Sequence, residues 1–596
     1  MQTSPSFKPL ENIALAISGG GFRAAAFGLG CLSYLHKIGY LRHVTFVSSA
    51  SGGTLPAMLY SQYNYQGKTF EECYQHLVTC MNGEVLLKKV FEILKENAYW
   101  KDRPEKKRNL INAFAIAYDE VVFEKEEFGL YWQKIQNPHI EEVCFNAAEL
   151  VNGRTFRFQK GLAPKRKVGN KDIHFDNKLN DNHAQKLKLA DIMAASSCFP
   201  GGFEPIVFPQ DFTHDIVTSE FLFEHFKQEP AYEGQLLPKN QPFGLMDGGI
   251  DDNQGVGSLL LANEYRRKNN KKMFDTIIIC DVDSSFIEPY VPPLPTNKAK
   301  GLWKLTIESL VKEVKSIGIG VLVWFISAIV FSIAGIIEGT IYIKIIGGLV
   351  LGGLLFAAAQ LWKLKSSIDA WKTNNASKTE GTWLRIAKRY GGFFLKLPFL
   401  KLVPMLKARA SSAGMLIGDL FLNQVRRLHF NALYENADYH NIPKEDIAVA
   451  TFSDSFDDRF PYANRCVTTL IHDLSKANAK NLEDRLKKRL DKPIAELLKP
   501  RQKLQDLAEK TRKMDTTLWF DEQHKENKML ENLIACGQAT MCFNLLKYLH
   551  ELKTDAQLYA IPVIYPSELE ALRIMIEEDW QIFNENPLSL LPKPNL

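Results

Sequence analysis

The sequence is short of most features that assign a chain to a class at sight. Its nine cysteines include no CxxC pair and no regular spacing. That excludes a disulfide framework and a cysteine zinc cage, and it fits reduced thiols in a cytosolic setting. Charge of one sign is also missing, for the formal net charge is only +5. A nucleic-acid partner would call for a concentrated basic face, so none is expected. The N-terminus, MQTSPSFKPLEN, has no basic stretch followed by an apolar core, so no cleaved secretory signal is read there. Internal repeats are absent. What the chain has in quantity is apolar residue, 46% of 596 positions. That is ample for a large core, and the length allows roughly two to four domains.

Two apolar runs stand out. Residues 317–337, IGIGVLVWFISAIVFSIAGII, hold no charge and are long enough to cross a hydrocarbon core of ~30 Å. After the short Glu338–Thr340 turn, residues 341–362 are apolar again except for Lys344, which sits near the segment's start and can snorkel to the interface. The pattern predicts a transmembrane helical hairpin, and Trp303, Trp324 and Trp362 include two candidate interfacial anchors. A hairpin buried in a soluble core is the competing reading, but soluble helices seldom lack a polar face for this length. Lys304, Lys312 and Lys315 precede the runs, and Lys363, Lys365 and Lys372 follow them, whereas the turn has no Lys or Arg. The positive-inside rule puts both flanks in the cytoplasm, on the inner membrane if the chain is bacterial. Gly348 and Gly352 form GxxxG, which allows close helix approach within the hairpin or between chains of a homo-oligomer.

Ahead of this insert the chain follows βαβ grammar. IALAIS (13–18) reads as a buried strand, residues 24–41 as an apolar helix, VTFVSS (44–49) as a second strand, and GGTLPAMLYSQYN as the next helix. Further strands are expected near 142–150, with a return after the Asn152–Gly153 turn, and at 243–249 and 276–284. A helix is expected around LKLADIMAASS. The Pro-rich stretch 290–296 reads as a linker. Beyond the insert, AGMLIGDLFLNQVRRLHFNAL reads as helix, 446–454 as strand, and 475–514 as a solvated, charged helical arm. The segments 85–140 and 203–242 are candidates for a cap or lid.

Two glycine stretches carry the chemistry. Gly19, Gly21 and Ala24 fit G-x-G-x-x-A between a strand and a helix, the pattern of a pyrophosphate cradle. That reading also needs a carboxylate at the end of the second strand, and Val47, Ser48 and Ser49 supply none. The same geometry serves acyl transfer. In Ser49-Ala50-Ser51-Gly52-Gly53 a nucleophile at Ser51 sits on a strand-to-helix corner with glycine two residues on, while Ser48 and Ser49 are still in the strand. Gly20 and Gly21 can turn their amides toward such a site as an oxyanion hole, with Arg23 pinning the loop or supporting the anion. A serine needs a base, and none of the thirteen histidines sits in a loop pattern that suggests one. Asp247, in LMDGGIDDNQG, ends an apolar strand and precedes two glycines, with Asp251 and Asp252 as neighbouring alternatives. Read alone, Asp247 is equally a turn or N-cap aspartate.

GGGFR (19–23), SASGG (49–53) and DGG (247–249) occur in this order, and together they resemble the patatin-like phospholipase family. FNAAELVNGRTFRF, MAASSCFPGGFEPI and residues 516–541 are similar to further segments of it. The likeness covers roughly 10–290, resumes near 405–550 and skips the hairpin. It implies a three-layer α/β/α hydrolase with a mainly parallel central sheet. The core would occupy 1–290, the linker and hairpin 291–375, and the completing part 376–596. Carried over by residue, the resemblance makes Ser51 the nucleophile and Asp247 the base of a histidine-free dyad. It places Gly19, Gly20 and Gly21, with Arg23 beside them, in the oxyanion loop, and it implies no metal and no cofactor. The expected substrate is a membrane phospholipid, cleaved at a fatty-acyl ester. Serine at position 49 departs from the family's glycine, and that departure sustains an alternative: a membrane-attached scaffold with little or no activity.

Overall fold

The computed structural model describes residues 9–282, 421, 424–429, 465–470, 490–558 and 567–592, less gaps at 83–84, 134–137, 162–167, 176–182, 201, 229–239, 513, 515–516 and 518. The two apolar runs at 317–337 and 341–362, the linker at 290–296 and the strand expected at 446–454 lie outside these residues. Among the described residues no helix is long and apolar enough to cross a membrane. The chain divides into two compact units, Met1–Ile287 with Asp419–Leu596, and Glu288–Gly418. The first unit carries every element described below.

Its centre is an eight-stranded sheet with the order β10-β9-β1-β2-β3-β8-β6, β4 pairing with β3. The strands are β1 (Ile13–Ile17), β2 (Val44–Ala50), β3 (Glu142–Glu149), β4 (Arg154–Lys160), β6 (Ile206–Phe208), β8 (Phe243–Asp247), β9 (Thr276–Asp281) and β10 (Arg465–Leu470). Strands β10, β9, β1, β2 and β3 are mutually parallel. Strands β4 and β8 run antiparallel to β3, and β6 runs antiparallel to β8. A separate two-stranded ribbon pairs β5 (Ile173–Phe175) with β7 (Phe226–Gln228). The central strand β1 is apolar throughout, and β9 is apolar over Ile277–Cys280, because both faces of the sheet are covered. Leu15, Ile17, Val47 and Ile278 face the larger core, while Ala14, Ala16, Phe46, Ile277 and Ile279 face the smaller one with Leu259 and Ala262.

Helices cover both faces. On the larger side lie α1 (Gly21–Lys37), α2 (Thr54–Gln66), α3 (Phe70–Met81), α4 (Val85–Lys95), α5 (Leu110–Val121), α6 (Leu189–Ser196) and the C-terminal helices. The short α7 spans Ser219–Glu224, and α8 (Gly249–Asp252) leads into α9 (Val256–Lys268), which covers the smaller core. Every strand and helix expected before residue 282 is present, with boundaries shifted by a few residues. Helices α4 and α5, from the segment read as a cap, bury Leu86, Val90, Ile93, Ile111 and Phe114 in the main core.

Two expectations need correction. Residues 490–514 were expected to belong to a solvated arm, yet the helix Gln502–Arg512 buries Leu504, Leu507 and Ala508. The charges occupy one face only, and the apolar residues at helical spacing pack against the helices Met529–Leu558 and Ser567–Glu585. Strand β10, at the sheet edge beyond β9, was not anticipated.

Candidate active site

The site forms where two strands meet end to end. The parallel strand β2 finishes at Ala50, opposite Asn146 of β3. The antiparallel strand β8 finishes at Asp247, opposite the next β3 residue, Ala147. Two chain ends therefore converge on one edge of β3 from opposite directions, bringing Ser51 and Asp247 together. The sequence suggested a carboxylate at the rim of a parallel sheet, but the strand that presents it is antiparallel.

Ser51 stands at the corner with φ 51°, a left-handed value unusual for a residue bearing a β-carbon. Holding it costs about 1–3 kcal/mol and requires support from the surroundings. Its amide donates to Ser196 Oγ at 3.1 Å, and Ser196 Oγ in turn donates to the Asn146 carbonyl at 2.7 Å. A Cβ on Gly52 would come within 2.0 Å of the Gly21 carbonyl oxygen, so only glycine lets the elbow and the first glycine loop touch.

Asp247 is buried, 2% exposed. Its Oδ1 accepts from the Gly249 amide at 2.7 Å, while Oδ2 has no hydrogen bond of good geometry. Burial raises its pKa to about 6, against the opposing influence of the Ser51 hydroxyl and the Gly249 amide. A carboxylate with that value is well matched to taking a serine proton near neutral pH. Asp251 and Asp252 are engaged elsewhere: Asp251 accepts from the Thr155 hydroxyl, and Asp252 Oδ2 accepts from the Ser258 amide at 3.1 Å.

The first glycine loop lies directly beside the elbow. A Cβ on Gly19 would approach Ser51 Cβ to 2.9 Å. Gly19 donates its own amide to Asn253, at 2.9 Å to the carbonyl and 3.1 Å to Oδ1, so it is not a donor to substrate. Gly20 and Gly21 have φ 145° and 62°, and their amides meet no acceptor among the described residues. Of the three glycines expected in the oxyanion loop, Gly20 and Gly21 are thus the two whose amides stay available among the described residues. Arg23 is buried, and its Nη1 donates to the Met514 carbonyl at 2.7 Å.

Ser49, the departure from glycine, is accommodated without strain. It belongs to β2, pairs with Ile17 and Phe145, and is fully buried. Its hydroxyl donates to Thr54 Oγ1 at 3.0 Å, which lies 2.9 Å from Ser196 Oγ. These hydroxyls and the Asn146 carbonyl form one connected support beneath Ser51. Asn146 also donates to the Ser49 carbonyl at 2.9 Å and accepts from Ser258 at 2.6 Å. Sequence reasoning missed Asn146, Ser196, Asn253 and Thr54, because their roles are created by pairings between distant segments. Asn253, next to a candidate acid in DDNQG, was the most accessible of them.

Among the described residues one group has metal-ligand chemistry: His183, Glu224 and His225, with donor atoms within 4.8 Å of one another. It lies at the end of α7, away from β2 and β8 in the chain. Glu224 is exposed and already pairs with His183 at 3.3 Å, which accounts for the proximity without an ion.

No curated protein matches the chain. Among solved structures it is similar to human GIVD cytosolic phospholipase A2, at 13% identity and TM-score 0.31, covering 46% of this chain and 45% of that one. It is also similar to VipD from Legionella pneumophila, at 11% identity and TM-score 0.22, covering 99% and 93%. This chain thus spans less than half the length of the human protein. A family model, patatin-like phospholipase, matches residues 15–260 and so includes both glycine stretches and Asp247.

Proposed function

We propose that the chain is a serine acyl hydrolase that cleaves fatty-acyl esters of glycerophospholipids through Ser51 and Asp247. The domain match supports a lipid acyl hydrolase. The observation that carries the dyad is the end-to-end meeting of β2 and β8 on β3, which leaves a buried carboxylate of raised pKa beside a strained serine.

Asp247 takes the Ser51 proton as Oγ attacks the ester carbonyl. The tetrahedral oxyanion is held by the amides of Gly20 and Gly21. On collapse the proton passes from Asp247 to the departing lysophospholipid oxygen, leaving an acyl-serine. Asp247 then takes a proton from water, which attacks the acyl group, and the fatty acid is released as Ser51 regains its proton. The apolar runs at 317–337 and 341–362, charged only at Lys344 and flanked by lysines, support an anchor that holds this site beside its lipid and raises the local substrate concentration.

Phospholipid vesicles incubated with the full chain should release fatty acid, and Ser51→Ala should abolish the release together with labelling by a fluorophosphonate probe. Release that survives Ser51→Ala would refute the dyad. Alkaline carbonate extraction should leave the chain in the membrane pellet, and full recovery in the supernatant would refute the anchor.

A further inference from the structure

The first glycine loop is held by a part of the chain that lies nearly at the other end. Glycine loops are the most costly segments to order, and Gly20 and Gly21 both take left-handed backbone. From one side the loop is tied by Asn253. From the other it is tied by Met514, Thr517 and Phe520. Thr517 and Gly21 form a parallel β-bridge, and the Phe22 amide donates to the Thr517 carbonyl at 2.6 Å. Phe22 is in the first turn of α1, where amides have no partner within the helix, so Thr517 supplies an acceptor that the helix cannot. Arg23 Nη1 donates to the Met514 carbonyl at 2.7 Å. The Phe22 and Phe520 rings lie 6.1 Å apart, both buried. Thr517 is itself set by a local turn: its hydroxyl donates to the Trp519 carbonyl at 2.7 Å. Gly21 and the two residues after it are therefore restrained from the far end of the chain.

Resting on the acyl-hydrolase reading above, we propose that Met514, Thr517 and Phe520 position the Gly20–Gly21 oxyanion amides, so that a working site requires chain from both sides of the insert. The family-matched region ends at residue 260 and lacks these residues. Thr517 and Phe520 act as positioning residues through the Phe22–Arg23 turn and touch no reacting atom. They are separable from the fold because α1 is independently docked on the helix Met529–Leu558. There a Cβ on Gly30 would meet the Ile534 carbonyl oxygen at 2.1 Å, and one on Gly537 would meet that of Phe27 at 2.2 Å, so the backbones themselves are in contact.

The test uses the full chain and a soluble short-chain p-nitrophenyl ester, with Thr517→Val and Phe520→Ala as variants and Ser51→Ala as the blank. Both variants should lose kcat by about 10- to 100-fold, the cost of an approximately 1 Å misplacement of a catalytic donor, with KM nearly unchanged. Hydrogen exchange at the Phe22 amide should accelerate in both, while the thermal midpoint and exchange in the helix Met529–Leu558 stay as in wild type. Wild-type kcat in both variants, or a loss of kcat seen only together with melting of that helix, would overturn the positioning role. If wild type itself shows no hydrolysis above the Ser51→Ala blank, the acyl-hydrolase reading fails, and the exchange at Phe22 alone decides whether Thr517 holds the loop.

Discussion

The two glycine turns at the heart of the molecule invite comparison. Strands β1 and β2 lie side by side, Ile17 opposite Ser49, and each ends in a small-residue turn that feeds a helix. The turns even touch, Gly52 against Gly21. They solve opposite problems. After β1 the left-handed backbone falls on Gly20 and Gly21, which carry no side chain and present their amides. After β2 it falls on Ser51, a residue whose side chain is the point of the turn, and its glycines follow it in ordinary helical backbone. Strain is accepted where a hydroxyl must be projected, and avoided with glycine where only backbone is presented. The support differs accordingly. Ser51 rests on a network of hydroxyls from β2, α2 and α6. The β1 loop rests on main-chain contacts from Asn253 and Thr517.

Four substitutions break or sharpen this contrast. Ser51→Ala removes the projected group and should lower kcat by about ten-thousand-fold or more, measured as fatty-acid release. Asp247→Asn removes the base and should cost about a thousand-fold. It should also alter stability in a pH-dependent way. The Asp247 pKa of about 6 is above the ordinary unfolded carboxylate value near ~3.9, so between these pH values the folded protein keeps a proton the unfolded chain has lost. Stability therefore falls as pH rises through that window, and above it the ionised carboxylate costs about 3 kcal/mol. Asp247→Asn should raise stability at pH 8 and change little at pH 4, read by denaturant unfolding at both. In the wild type, kcat/KM should climb with pH and reach half its plateau near pH 6.

Gly20→Ala acts on the other turn. Alanine at φ 145° is strained, and its Cβ would meet Val282 Cγ1 at 2.6 Å. A displaced donor should cost about a hundred-fold in kcat. The smallest effect is expected from Ser49→Gly, which restores the family's residue. Activity should change by less than about threefold, and stability should drop by about 1–2 kcal/mol from the lost Thr54 contact and glycine in a strand, read as a lower denaturation midpoint. A large gain in activity would mean that Ser49 does hinder the elbow.

Local pattern made much of this legible. β1 is a run of five apolar residues and α1 an unbroken alanine-rich stretch, so period and composition agree. The order of GGGFR, SASGG and DGG pointed to Ser51 and Asp247 before any geometry was available. What was misread has one cause. Leu504, Leu507 and Ala508 are masked in sequence by the lysines and glutamates around them, and only the helices they pack against show which face is buried. Gly19 looked equivalent to Gly20 and Gly21 until Asn253 was found holding its amide.

The sequence by itself determined the elements before the insert, the corner on which Ser51 sits and the placing of Asp247 at a strand end, because these depend on residue types a few positions apart. Tertiary structure decided that β8 runs antiparallel and meets β2 head to head, that Ser49 is bonded to Thr54 instead of crowding the elbow, and that Thr517 closes the loop from the far end of the chain. The first depends on strand register, and the other two on contacts between segments far apart in sequence, for Thr54 is in turn held by Ser196. Neither is encoded in local spacing, because both follow from how the whole core packs.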